Sequence, residues 1–149
     1  MKAMLLKQSA PINEKPLKLE EFTIPDPGQG EIRVKITTCG LCHTDLDIIE
    51  GRLESILPVI PGHQIVGKVD KLGKAAGKFH PGDRVGIAWI NSACGKCDFC
   101  QSGNENLCDD FKGTGCDANG GYAEYTVISE DFAYRIPERF SDISAPPLL

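Results

Sequence analysis

Four cysteines lie within 15 residues of this chain and restrict its local fold more than any other feature. They occur in the segment Cys94-Gly95-Lys96-Cys97-Asp98-Phe99-Cys100 and, eight residues further on, at Cys108. Four thiolates at this spacing suit one tetrahedral zinc ion, and a site with four protein ligands leaves no position for water. The sequence therefore predicts a closed, structural zinc site in a lobe that spans residues 91–116.

A pair of disulfides is the first alternative for these cysteines. The chain has seven cysteines, an odd number, and its first residues do not resemble an export signal, so metal ligation is the better explanation. A zinc ribbon that binds DNA or RNA is a second alternative, but the lobe has two lysines against four carboxylates. Of the three remaining cysteines, Cys39 and Cys116 are interpreted as small buried hydrophobic residues.

Length and composition indicate one globular domain over residues 1–149. Hydrophobic residues make up 41% of the chain and charged residues 25%, and no apolar run reaches the roughly 20 residues of a membrane-spanning helix. The net charge is −5 and the basic residues are scattered, so no surface stripe could follow a phosphate backbone. We expect a cytoplasmic protein that binds neither nucleic acid nor membranes.

Alternating apolar and polar residues between glycine and proline turns predict a mainly β fold. The clearest strand is Glu31–Ile36, where Ile32, Val34 and Ile36 share one face. Several short strands with turns between them favour a barrel or a sandwich. The other predicted strands cover residues 2–7, 17–22, 64–72, 84–90, 122–128 and 132–136.

One short helix and an apolar tail complete the predicted elements. The helix runs from Thr44 to Glu50, with Thr44 as its cap and Gly51 as its stop. The tail, residues 141–149, resembles the start of a connection to further chain, and a frayed terminus of a complete protein is the alternative.

A second, incomplete metal site is indicated by two segments upstream of the lobe. One contains Cys42-His43-Thr44-Asp45, and the other contains His63, about twenty residues later. Cysteine and histidine are both good zinc ligands, and a catalytic zinc needs three protein ligands and one open position. Two candidate ligands are visible here, and taken alone both could be ordinary structural residues.

These two segments belong to a longer pattern. Together with His80-Pro81-Gly82-Asp83-Arg84-Val85, the four-cysteine lobe and Gly120-Gly121-Tyr122-Ala123-Glu124-Tyr125, they resemble the zinc-dependent medium-chain alcohol dehydrogenases in order and spacing. The resemblance implies a GroES-like β-barrel with a few short helices and a four-cysteine zinc lobe. It also implies that residues 1–149 form the catalytic domain and that the Rossmann cofactor domain is absent from this chain.

The resemblance implies a role for each residue of the second site. Cys42 and His63 match two ligands of the catalytic zinc, and Asp45 matches the carboxylate that orients the ligand histidine. Thr44 matches the hydroxyl that takes the proton of the alcohol. His43 matches a position that contacts the cofactor and relays this proton towards solvent, although a plain surface histidine is the alternative.

The implied reaction interconverts an alcohol and an aldehyde or ketone with NAD(P). Zinc would supply a Lewis acid that lowers the pKa of the alcohol oxygen. The third ligand in most family members is a cysteine expected close to Leu149, and His80 is interpreted as a turn residue. The glycine-containing segments 73–78 and 113–118 do not fit a phosphate or dinucleotide loop, so both are interpreted as turns.

The isolated chain is accordingly expected to be inactive, with a small alcohol or aldehyde as substrate and a homo-oligomer at full length. The alternative is a non-catalytic, zinc-binding GroES-like module that scaffolds a partner.

One departure from the family pattern gives a testable prediction. Most members have glutamate directly after the ligand histidine, whereas this chain has Gln64. We expect the neutral amide to leave the zinc more electrophilic but to slow ligand exchange, because no carboxylate can approach the metal. Gln64→Glu in a complete enzyme should therefore speed product release, measured by transient kinetics beside steady-state turnover. Unchanged values of both would show that glutamine is a tolerated isosteric replacement.

Overall fold

The fold is built around one curled antiparallel sheet, described for all residues 1–149 in a computed structural model. Its five strands lie in the spatial order β8 (Tyr125–Ser129), β3 (Glu31–Cys39), β4 (Ile65–Leu72), β5 (Arg84–Ile87) and β9 (Ala133–Arg135). The sheet curls into a half-barrel, which confirms the predicted mainly β, GroES-like class.

Two smaller sheets and two helices complete the domain. The strands β1 (Lys2–Leu6) and β2 (Leu17–Glu21) form one antiparallel pair, and β6 (Ile90–Ser92) and β7 (Lys112–Gly113) form another. The helices are α1 (His43–Ile49) and α2 (Asp98–Gln101). Neither helix combines the length and the apolar character that crossing a bilayer requires.

The main core lies on the concave side of the five-stranded sheet, where alternate residues point inward. Fully buried residues of the two longest strands, Ile32, Val34 and Ile65, pack there with Phe79. A second cluster joins Ile48 of α1 to β1 and to neighbouring loop residues. This second cluster fixes α1 against the β1 side of the domain, so the helix that carries Cys42 at its start has a defined position.

The register of β3 and β4 positions the second site. The last residue of β3, Cys39, pairs with the first residue of β4, Ile65. The loop that leaves β3 and the loop that enters β4 therefore begin and end at the same edge of the sheet. Cys42 follows β3 by three residues and His63 precedes β4 by two, so strand pairing brings both side chains to one place.

Three predicted elements differ from the structure. The helix begins at His43 and has Cys42, not Thr44, at its N-cap. The carboxylate of Asp45 accepts a hydrogen bond from the backbone N–H of Cys42 and so fixes the start of the helix there. The predicted strand 84–90 is two strands in two sheets, because the chain leaves β5 at residue 88 and enters the ribbon that closes the lobe. The strand predicted from residue 122 begins at Tyr125, since the residues before it pair with β1.

Burial predicts a contrast between two side chains of equal size on different strands. Ile32 is fully buried in β3, whereas Leu19 of β2 is 64% exposed. Ile32→Ala should lower the free energy of unfolding by about 2–5 kcal/mol, because it removes buried methyl groups and leaves a cavity. Leu19→Ala should change it by less than about 0.5 kcal/mol. Denaturant unfolding with saturating zinc measures both, and similar losses in the two variants would contradict this core assignment.

Candidate functional site

The four cysteines of the lobe converge on one point. Their Sγ atoms all lie within 4.8 Å of one another, and those of Cys94 and Cys100 are 3.9 Å apart. A zinc ion with bonds of about 2.3 Å to four sulfurs would set the sulfur–sulfur distance to about 3.8 Å. All seven cysteines are free thiols, so the disulfide alternative is not supported. The four-cysteine group could therefore hold a metal ion.

Backbone N–H groups favour the thiolate form of Cys94 in this lobe. The N–H groups of Lys96 and Cys97 lower the pKa of Cys94 to about 6, and the N–H of Cys97 lies 3.4 Å from the Cys94 sulfur. The N–H of Cys94 in turn donates to the sulfur of Cys108 at 3.4 Å. Donors aimed at sulfur stabilise negative charge, so the backbone favours the thiolate form of Cys94, whereas burial raises the pKa of Cys100 to about 12.

The lobe is closed at its base by the β6–β7 ribbon. Ile90 pairs with Gly113 and Ser92 with Lys112, so the segment that carries all four cysteines begins and ends between neighbouring strands. Between these strands the short helix α2 follows directly on Cys97 and carries Cys100.

The structure brings the two candidate ligands of the second site, Cys42 and His63, together beside Asp45. The carboxylate of Asp45 is fully buried, and its Oδ1 lies 3.2 Å from Nδ1 of His63. The buried Nδ1 makes no hydrogen bond, so its contact with Asp45 is one between close, oppositely charged or polar groups. Nε2 is the nitrogen left for a ligand, and the His63 side chain also reaches the thiol of Cys42.

The charges of the second site stabilise one another. Burial alone would lower the pKa of His63, but Asp45 and Cys42 together raise it above its ordinary value. Burial would also raise the pKa of Asp45, and its contacts with His63, with the Cys42 N–H and with Tyr122 lower it. The N–H and hydroxyl of Thr44 lower the pKa of the Cys42 thiol. Zinc binds a thiolate and a neutral imidazole, so the lowered pKa of Cys42 favours metal binding, whereas a metal at His63 would have to displace a proton from the ring.

The other predicted residues of the second site lie around this pair. The Thr44 hydroxyl is 3.6 Å from the Cys42 sulfur, and the His43 ring is 78% exposed with Nε2 3.7 Å from Asp47. The Gln64 side chain lies against Gly40. If Gly40 carried a Cβ atom, that atom would lie only 2.7 Å from the Gln64 amide oxygen. His80 lies outside both sites in an exposed turn, where its backbone N–H donates to the carboxylate of Asp83.

Two aromatic residues of the second site were not identified from the sequence. The Trp89 ring packs edge-on against His63 with ring centroids 5.1 Å apart, and the Tyr122 hydroxyl donates to Asp45 Oδ2 at 2.9 Å. Burial and the neighbouring Asp45 raise the pKa of Tyr122 well above its ordinary value, so the hydroxyl stays protonated. Only the position of Tyr122 directly after two glycines hinted at a constrained contact.

The remaining cysteines lie in packed surroundings. Burial raises the pKa of Cys39 to about 12 and that of Cys116 to about 11, so both thiols stay protonated near neutral pH. Cys116 packs with Leu6 and Ile48 and donates to the carbonyl of Glu54 at 3.2 Å. The sequence interpretation as a small buried group therefore holds for Cys116, whereas Cys39 is half-buried.

Two equally buried cysteines give a test of the lobe. Cys108 is 6% exposed and belongs to the four-thiol cluster, whereas Cys116 is 4% exposed and lies outside it. Cys108→Ser should weaken zinc binding by more than the roughly 10- to 100-fold that loss of an outer-shell partner costs. Cys116→Ser should leave the affinity unchanged. Competition with a chromophoric chelator measures both, and equal affinities in the two variants would contradict the four-cysteine site.

Comparison with known proteins places the chain in a family. The family described as "Alcohol dehydrogenase GroES-like domain" matches residues 28–138. The alcohol dehydrogenase of Geobacillus stearothermophilus is 41% identical over 150 residues, covering 99% of this chain and 43% of that protein.

Two solved structures superpose closely on this fold. The crystal structure of an NAD-dependent alcohol dehydrogenase matches with a TM-score of 0.90 and 31% identity, over 98% of this chain and 42% of the other. A cobalt- and zinc-bound thermostable alcohol dehydrogenase from Pyrobaculum aerophilum matches with a TM-score of 0.89 and 28% identity, over 99% and 44%. The chain thus spans less than half the length of the proteins it matches. The family match and the similarity to these relatives show that this chain belongs to the alcohol dehydrogenase GroES-like domain family.

Proposed function

We propose that this chain supplies the zinc-binding part of an alcohol dehydrogenase that interconverts an alcohol and an aldehyde or ketone with NAD(P). The observation that carries the proposal is the convergence of Cys42 and His63 beside the buried carboxylate of Asp45. Zinc bound there would supply a Lewis acid that polarises a substrate oxygen. The four-cysteine group would hold a second, structural zinc with no position free for substrate.

Apolar walls flank the ligand pair. A cavity of about 380 Å³ lies beside Cys42 and His43 and is otherwise lined by Ile12, Leu17, Leu41, Leu46, Ile49 and Tyr122. A larger cavity, of about 580 Å³, is bordered by Trp89, whose ring contacts His63. Mostly apolar cavities with a few polar groups at one end suit a small organic molecule that carries one hydroxyl or carbonyl.

The polar residues of the second site supply a route for the proton. The Thr44 hydroxyl is half-buried and adjoins the Cys42 sulfur, so it lies next to the place where a substrate oxygen would bind. His43, one residue earlier, is largely exposed and paired with Asp47. We infer that Thr44 takes the proton of the alcohol and that His43 passes it towards solvent and contacts the cofactor.

Further chain is required for the complete reaction. Among residues 1–149, the four-cysteine cluster is the one group in which three or more metal ligands converge, so the second site has two ligands of the three that a catalytic zinc needs. We propose that the third ligand and a nucleotide-binding domain belong to additional chain, since the matched proteins are more than twice as long. A homo-oligomer at full length is part of the same proposal.

A pair of histidine variants tests this function. His63 is buried beside Asp45, whereas the His80 side chain is 82% exposed in a turn. In a protein of full dehydrogenase length, His63→Ala should abolish activity and remove a second equivalent of cobalt, detected by its visible absorption. His80→Ala should retain both. If the unmodified protein shows only an all-sulfur cobalt centre, the dehydrogenase proposal is wrong and the scaffold alternative takes its place.

A further inference from the structure

The phenol of Tyr122 reaches the second site from a third segment of the chain. It precedes β8 and donates its hydroxyl proton to Oδ2 of Asp45 at 2.9 Å. We propose that Tyr122 is a positioning residue, whose hydroxyl fixes the Asp45 carboxylate so that the other carboxylate oxygen stays close to Nδ1 of His63. The inference rests on the proposed function, because it assigns Tyr122 to the same metal site.

The hydrogen bonds of Asp45 are divided between its two oxygens. Oδ2 accepts from the Cys42 N–H at 2.8 Å and from the Tyr122 hydroxyl at 2.9 Å. Oδ1 faces the Gly62 N–H and Nδ1 of His63, each at 3.2 Å. The Oδ2 contacts are the shorter pair and therefore determine the rotation of the carboxylate. The longer Oδ1 contacts are the ones that a rotating carboxylate would lose first.

Burial makes each of these donors important. Asp45 is fully buried, and a buried carboxylate without enough donors is strongly destabilised. Without the hydroxyl, Oδ2 would have the Cys42 N–H alone, and water cannot readily take the empty place. The carboxylate would then be free to rotate about its remaining contacts, and Oδ1 would move away from Nδ1 of His63.

The backbone clamps Tyr122 to the loop that carries His63. The N–H of Tyr122 donates to the carbonyl of Pro61 at 2.9 Å, and the N–H of Gly120 donates to that of Ile60 at 2.6 Å. A side-chain carbon at Gly62 would come within 2.8 Å of the Tyr122 ring, and one at Gly120 within 2.1 Å of the Gly62 oxygen. These close contacts fix the position of the Tyr122 ring, so the hydroxyl group is held next to Asp45.

The ring and the hydroxyl of Tyr122 have separable roles. The ring packs against the cluster of Ala3, Leu5 and Ile60, which a phenylalanine could cover equally well. The hydroxyl makes the contact with Asp45. A change that removes this oxygen alone therefore tests positioning with little disturbance of packing.

The matched control is another tyrosine three residues along the chain. Tyr125 is half-buried, and its ring lies 5.8 Å from the Arg33 guanidinium, away from Asp45. We would compare Tyr122→Phe with Tyr125→Phe, each with zinc first bound to the four-cysteine lobe. The two measurements are amide hydrogen exchange at Cys42 and Gly62, and the affinity for cobalt beyond the first equivalent.

Tyr122→Phe should speed exchange at both amides and weaken the second cobalt by about 10- to 100-fold, the range seen when an outer-shell partner is lost. Metal affinity of the four-cysteine lobe should stay unchanged, which a general loss of stability would not allow. Tyr125→Phe should match the unmodified chain in every respect. Equal exchange and equal cobalt affinity in the two variants would overturn the proposal.

Two further results are decisive. If Tyr122→Phe fails to fold, the unmodified chain is examined by NMR: a slowly exchanging Tyr122 hydroxyl proton supports the hydrogen bond, and its absence overturns the proposal. If the unmodified protein binds no second cobalt even at full dehydrogenase length, where the third ligand is present, the proposed function fails. The amide exchange comparison then decides the role of Tyr122 on its own.

Discussion

A buried negative charge connects the segments that form the second site. The carboxylate of Asp45 is out of contact with water, and such a group is tolerated only when donors surround it. Those donors come from the start of α1, from the loop before β4 and from the segment before β8. The hydrogen bonds of the Asp45 carboxylate therefore require three distant parts of the sequence to come together. Cys42 and His63 lie next to each other in the same arrangement.

The two candidate metal sites are assembled by different means. In the lobe the cysteines are close in sequence, and local turns together with the β6–β7 ribbon suffice to gather them. In the second site the two candidate ligands are 21 positions apart, and they meet because β3 and β4 pair in a defined register. The lobe thus depends on local geometry and the second site on the whole sheet. A change in the sheet would disturb the second site first.

The sequence predicted the elements that depend on local pattern. The alternation of Ile32 and Val34 identified β3, and the cysteine spacing identified the lobe. It did not predict that Asp45 would move the helix cap from Thr44 to Cys42, because that depends on a contact available only in the folded chain. Trp89 and Tyr122 were also missed as site residues, since their contacts with His63 and Asp45 cross long sequence distances.

The base of the lobe has a consequence for the evolution of this architecture. The chain enters and leaves the lobe through paired strands, and the Thr114 N–H donates to the Trp89 carbonyl at 2.8 Å just beneath them. An insertion whose two ends already touch can be lengthened, shortened or deleted while the remaining chain closes with a short turn. Descendants of a common ancestor could therefore differ in this appendage and still share the strands that carry Cys42 and His63.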